Sequence, residues 1–157
     1  MTNQINFTFQ DSDWTPPTRF PNLRNEPEVA IDLETKDPEI KIKGPGWPTM
    51  NGNVIGVSVA TNNFKGYYPV AHEAGGNMDI RMVLNWIQDI CRSKATKLFH
   101  NAAYDIGWLR AHGVVVYGKI ADTMIAAALI DENRRGYSLN ALSVDYLSEL
   151  KSEAGLK

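Results

Sequence analysis

The chain has 157 residues, a formal net charge of −2, 43% hydrophobic and 22% charged residues, and a single cysteine, Cys91. That length suits one domain with a sizeable core, and the composition excludes disorder over most of it. Near-neutral charge excludes a basic nucleic-acid coat, one cysteine excludes a disulfide framework, and no apolar run reaches the ~18–20 residues of a membrane span.

Met1–Asn6 lacks the basic and apolar regions of a signal peptide, so a cytoplasmic setting without membrane contact is expected. Residues 1–27 read as a Pro-rich N-terminal arm carrying Pro16, Pro17, Pro21 and Pro27, with Trp14 and Phe20 expected to dock part of it on the body. Glu28–Glu34 reads as a core strand, and 36–52 as a loop broken by Pro38, Gly44, Pro45, Gly46, Pro48 and Gly52. Val54–Thr61 and Phe64–Val70 form a hairpin across Asn62-Asn63. A helix over about 78–92, capped by Asn77, follows from the spacing of Ile80, Val83, Leu84, Ile87 and Ile90. Thr96–Phe99 is the fourth strand. Asn101–His112 is a helix closed by Gly113, and Val114–Tyr117 the fifth strand. Asp122 caps a helix to Ile130, and Ser138 caps a last one reaching about Leu150. The order predicts an α/β fold: three antiparallel strands, then parallel additions, in a mixed sheet flanked by helices.

Chemistry concentrates at two places. Asp32 and Glu34 alternate with Ile31 and Leu33, so both carboxylates share one face, about 6.5–7 Å apart at Cα. Like charges beside a core raise each other's pKa unless a cation neutralises them, and oxygen donors suit Mg²⁺ or Mn²⁺. The plainer alternative is a strand end whose acids reach solvent. Asp105 follows the turn His100-Asn101-Ala102-Ala103-Tyr104 by one helical step. Alone it reads as an acid favoured by the helix dipole. Converging on Asp32 and Glu34, it would complete a two-metal site for phosphoryl transfer. His72, His100 and His112 show no zinc spacing. Cys91 reads as packing, Asp122 as a cap, and Arg134-Arg135 as a solvated loop. Trp47 and Tyr104 could stack on a base, with core packing the equal alternative for Trp47. Lys65, Tyr67 and Tyr68 read as ordinary strand positions.

Ala30-Ile31-Asp32-Leu33-Glu34-Thr35 resembles the first motif of the DEDD 3′–5′ exonucleases, and His100-Asn101-Ala102-Ala103-Tyr104-Asp105 resembles their second. Asp122-Thr123-Met124 and Ser138-Leu139-Asn140-Ala141-Leu142 resemble the stretch that follows in proofreading domains of family A DNA polymerases. Trp14-Thr15-Pro16-Pro17 and Gly44-Pro45-Gly46-Trp47 resemble phage versions. The resemblance implies a ribonuclease H-like fold over 28–157. It implies a two-metal Mg²⁺ or Mn²⁺ site on Asp32, Glu34 and Asp105, with Leu33, Thr35, Asn101 and Tyr104 near the bound nucleotide. It implies 3′–5′ removal of nucleotides from a single-stranded DNA 3′ end, in the service of a polymerase domain continuing C-terminally. The family completes its site with a fourth acid in Tyr-x-x-x-Asp, and none of the six tyrosines here has an aspartate four residues on. The expectation is therefore a C-terminally incomplete exonuclease domain. The alternatives are a catalytically impaired nucleic-acid-binding or scaffold remnant, and a free-standing exonuclease acting on RNA or oligonucleotides.

Overall fold

The computed structural model describes residues 15–73 and 75–148. Its centre is β1, Glu28–Lys36, where Val29, Ile31 and Leu33 are buried in alternation with half-buried Ala30, Asp32 and Glu34. This period-two pattern turns one face of the strand to the core and leaves the acids on the other. β2, Asn53–Ala60, and β3, Lys65–Pro69, pair antiparallel on one side of β1. β4, Thr96–Phe99, and β5, Ile120–Asp122, add parallel on the other. The five-stranded order is β3-β2-β1-β4-β5.

The helices are α1 (Ile40–Lys43), α2 (Ile80–Arg92), α3 (Ala102–Ala111), α4 (Thr123–Ile130) and α5 (Leu139–Leu147). Val83, Ile87 and Ile90 of α2 and Trp108 and Leu109 of α3 pack with Val29, Ile31, Leu33, Val57 and Val59 in one core. Thr123 and Leu139, at the starts of α4 and α5, border the opposite face of the sheet. Leu129, Ile130 and Leu147 remain more than half exposed on those helices. Among the described residues, Lys97 and Asp105 are the fully buried charged side chains.

Part of the arm docks as expected. Phe20 stacks on Tyr68 at 5.4 Å between ring centroids and meets Trp86 at 5.5 Å. The Trp86 indole donates to the Pro21 carbonyl at 2.8 Å. Trp14 lies outside the described residues, as do residues 149–150, to which the last helix is expected to reach.

Three local expectations are corrected. The fifth strand is not 114–117. Those residues spend their hydrogen bonds elsewhere: Val115 exchanges both its backbone groups with the Gln88 side chain, and Tyr117 N–H donates to the Cys91 carbonyl. The chain turns at Gly118, in the left-handed region at φ 76°, and its pairing with β4 begins at Ile120, six residues after the start of the β-branched run. The cap of α2 is Asp79, which accepts from Arg81 N–H at 2.8 Å, while Asn77 clamps the backbone of His72 instead. The 36–52 segment is not all loop: it contains α1 and a 3₁₀ turn at Trp47–Thr49. Asn101 makes no side-chain cap on α3 and holds a left-handed backbone at φ 68°, which asparagine tolerates.

Candidate active site

β4 pairs with β1 only as far as Ala30–Leu98, so β1 runs on past the end of its neighbour. The Leu33 N–H is there satisfied by a side chain: Asp105, one turn into α3, accepts it with Oδ1 at 3.3 Å. Asp105 is thereby fastened to the strand between Asp32 and Glu34, and it is 3% exposed. Burial pushes its carboxyl up to about 7, and the Asp32 charge adds to the rise. The Leu33 N–H opposes the rise, while Asp122 and Glu34 add further smaller repulsions.

Tyr104 ties the same turn to the end of β1. Its hydroxyl hydrogen-bonds Thr35 Oγ1 at 2.7 Å and donates to Asp37 Oδ2 at 3.1 Å. Asp37 in turn accepts from Gly46 N–H at 2.9 Å. The Leu33 side chain is buried in the core, so it offers the site its backbone, not its side chain. Asn101 is exposed at the start of α3. Trp47 packs on Gly107 of α3, where a Cβ would meet its ring at 2.5 Å.

The position that sequence reasoning undervalued is Asp122. Its carboxylate caps α4, with Oδ1 accepting from Met124 N–H at 2.9 Å, and reaches the turn before α3, with Oδ2 accepting from Ala102 N–H at 2.8 Å. Oδ1 also takes Asn101 N–H at 3.1 Å. Burial pushes this carboxyl up, but the backbone donors together outweigh burial and hold it below the usual carboxylate range. Asp122→Ala is expected to cost ~2 kcal/mol or more, since it strips one helix of its cap and orphans two further N–H groups. Chemical denaturation at pH 7 checks this, with Asp122→Asn recovering part of the loss.

Beside Asp32 the open sheet face forms a cleft of about 570 Å³. Its floor is Ala30, Ser58 and Ala60, with Tyr67 on one side and His100 on the other. His100 Nδ1 is paired with Thr123 Oγ1 at 2.8 Å.

Among the described residues, no three His, Cys, Asp or Glu side chains are gathered tightly enough to form a ready metal shell. The donor set nevertheless fits a hard divalent cation. Asp105 is a buried carboxyl disfavoured as an anion by its acidic neighbours, and the donors on offer are all oxygens.

Comparisons with known proteins bear on this geometry. The fold matches Brucella melitensis NrnC with bound Mg²⁺, at a TM-score of 0.60 and 20% identity, over 85% of this chain and 61% of that one. It also matches Escherichia coli RNase D at a TM-score of 0.57 and 16% identity, over 84% of this chain and 31% of that one. The architecture is thus ribonuclease H-like. The 3′–5′ exonuclease family model of family A DNA polymerases matches residues 18–155, and the chain belongs to that family. It is 33% identical over 160 residues to a DNA-directed DNA polymerase of Pseudomonas phage M6, across 96% of this chain and 24% of the polymerase. It is 34% identical over 134 residues to the DNA polymerase DpoZ of Salmonella phage PMBT28, across 84% of this chain and 19% of the polymerase. The chain therefore spans about a quarter or less of the length of these curated relatives.

Proposed function

We propose that this chain removes nucleotides one at a time from the 3′ end of single-stranded DNA by metal-assisted hydrolysis, proofreading for a polymerase. The observation that carries the reading is Asp105, a buried carboxyl fastened to the strand that bears Asp32 and Glu34. Asp32, Glu34 and Asp105 would hold Mg²⁺ or Mn²⁺. When bound, such a cation lowers the pKa of an attacking water and stabilises charge on the leaving oxygen. Glu34, half-buried on the same face as Asp32, orients that water. Asp105 has to release its proton to bind a cation, so activity rises with pH through about 7. Asn101, exposed at the start of α3, and the Thr35–Tyr104 pair would contact the terminal nucleotide. Because cations and backbone hold the phosphate, a net charge of −2 is no obstacle.

The test is a 5′-labelled single-stranded DNA oligonucleotide incubated with the chain and Mn²⁺, beside Asp32→Ala and beside an RNA oligonucleotide. The expected result is a ladder shortening from the 3′ end of DNA, absent in the variant. A ladder on RNA alone would make the substrate an RNA. No ladder on either would overturn the reading that this chain is active by itself and leave an incomplete exonuclease domain or a binding or scaffold role.

A further inference from the structure

Tyr67 is where the fold adds something to the carboxylates. The sheet register sets Tyr67 on β3 opposite Ser58 on β2, and Ser58 opposite Asp32 on β1. The phenol therefore rises from the same face as the two acids. Its ring leans over Gly56, where any Cβ would collide with the hydroxyl, and Gly56 is the register partner of Glu34. A glycine at that position lets the phenol reach across β2 toward β1.

The far end of the ring is gripped. Tyr67 Oη hydrogen-bonds His72 Nε2, with the two rings edge-on at 77° and 5.6 Å between centroids. His72 is itself held by Asn77, which accepts from its N–H at 2.7 Å and donates to its carbonyl at 2.8 Å. Next to it, Glu73 pairs with Lys36 at the end of β1 at 2.7 Å. The loop that carries the imidazole is thus tied both to itself and to the strand that carries the acids.

We propose that Tyr67 is a positioning residue of the carboxylate site: its hydroxyl, aimed by His72, holds the Glu34 carboxylate in the orientation that cation and attacking water require. This rests on the metal-dependent reading above. A phenol carries one proton and an ionised carboxylate only accepts. Every group is satisfied when His72 Nε2–H donates to Oη and Oη–H donates to Glu34. An ordinary phenol keeps its proton near neutral pH, so the donor is present.

The test is Mn²⁺ affinity of the full chain by electron paramagnetic resonance titration, for wild type, Tyr67→Phe, His72→Ala, His72→Gln and the Tyr67→Phe/His72→Ala double variant. Groups that orient metal-binding carboxylates typically matter about 10–100-fold. Tyr67→Phe and His72→Ala should each weaken Mn²⁺ by roughly tenfold or more. The double variant should be no worse than Tyr67→Phe, since both act through one hydroxyl. His72→Gln, which keeps a donor, should recover much of the loss. The thermal unfolding midpoint should fall by no more than the loss of one hydrogen bond explains, far less than the change in Mn²⁺ affinity. Wild-type affinity in Tyr67→Phe overturns this role. If that variant does not fold, the comparison of His72→Ala with His72→Gln decides in its place. Asp32→Ala separates the two levels. If it binds Mn²⁺ as tightly as wild type, or if wild type binds none, the metal-dependent reading falls and the role of Tyr67 with it.

Discussion

Asp105→Asn is expected to make the metal-free chain more stable than wild type at pH 8, by ~2–4 kcal/mol, while abolishing the proposed exonuclease activity. Asp105 is 3% exposed, and burial first, then the Asp32 charge, pushes its carboxyl up to about 7. The unfolded chain loses this proton near the ordinary aspartate value of about 4, whereas the folded chain keeps it to about 7. Between those values the native state binds more protons than the unfolded one, so stability falls as pH rises. Above about 7 both states are ionised and the loss is complete, at roughly 4 kcal/mol from a rise of about three units. The carboxamide of the variant can still accept the Leu33 N–H that Oδ1 accepts now, and it carries no charge to desolvate. Urea unfolding from pH 4 to pH 8 in a chelator checks this. Wild type should lose stability across that range and Asp105→Asn should not. Parallel curves for the two proteins would sink the argument. Saturating Mn²⁺ should return stability to wild type by mass action and do little for the variant.

Trp108→Ala should cost ~3–5 kcal/mol and leave much of the chain unfolded at room temperature. Trp108 is fully buried on α3, three residues after Asp105. Its ring lies against Gly52, where a Cβ would meet it at 3.2 Å. The next residue back, Gly107, receives Trp47. Truncation thus opens a cavity under the helix that sets Asp105 against β1, and the 47–52 segment has nothing to close it with. The loss is measurable as a lower denaturation midpoint at unchanged denaturant slope. Trp108→Phe, which keeps most of the volume, should cost well under half as much.

The two predictions meet at the same helix and have opposite signs. A residue that packs α3 stabilises the fold, whereas the buried carboxyl that α3 delivers to the strand destabilises it, and the proposed cation would relieve that cost. Such a conflict between stability and arrangement is expected at functional sites.

How much of this was readable beforehand divides along a physical line. The alternation in β1, the helical spacing in α2, the placement of Asp105 one turn into α3 and the capping roles of Asp122 and Ser138 all follow from near neighbours. Local periodicity and side-chain reach decide them, so they are legible without any tertiary contact. The rest depended on competition between distant partners. Val114–Tyr117 has the composition of a strand, but Gln88 and the end of α2 take its backbone groups, so β5 forms at Ile120–Asp122. Asn77 can cap a helix, but His72 offers it two bonds, leaving Asp79 to cap α2. Asp105 finds the Leu33 N–H only because β4 stops short of it. Tyr67 reads as any strand tyrosine until the register sets it opposite Ser58 and Gly56 clears its path toward Glu34. These outcomes needed the tertiary structure, because a backbone group takes the partner that folding brings nearest, and no residue's own propensity encodes which one that is.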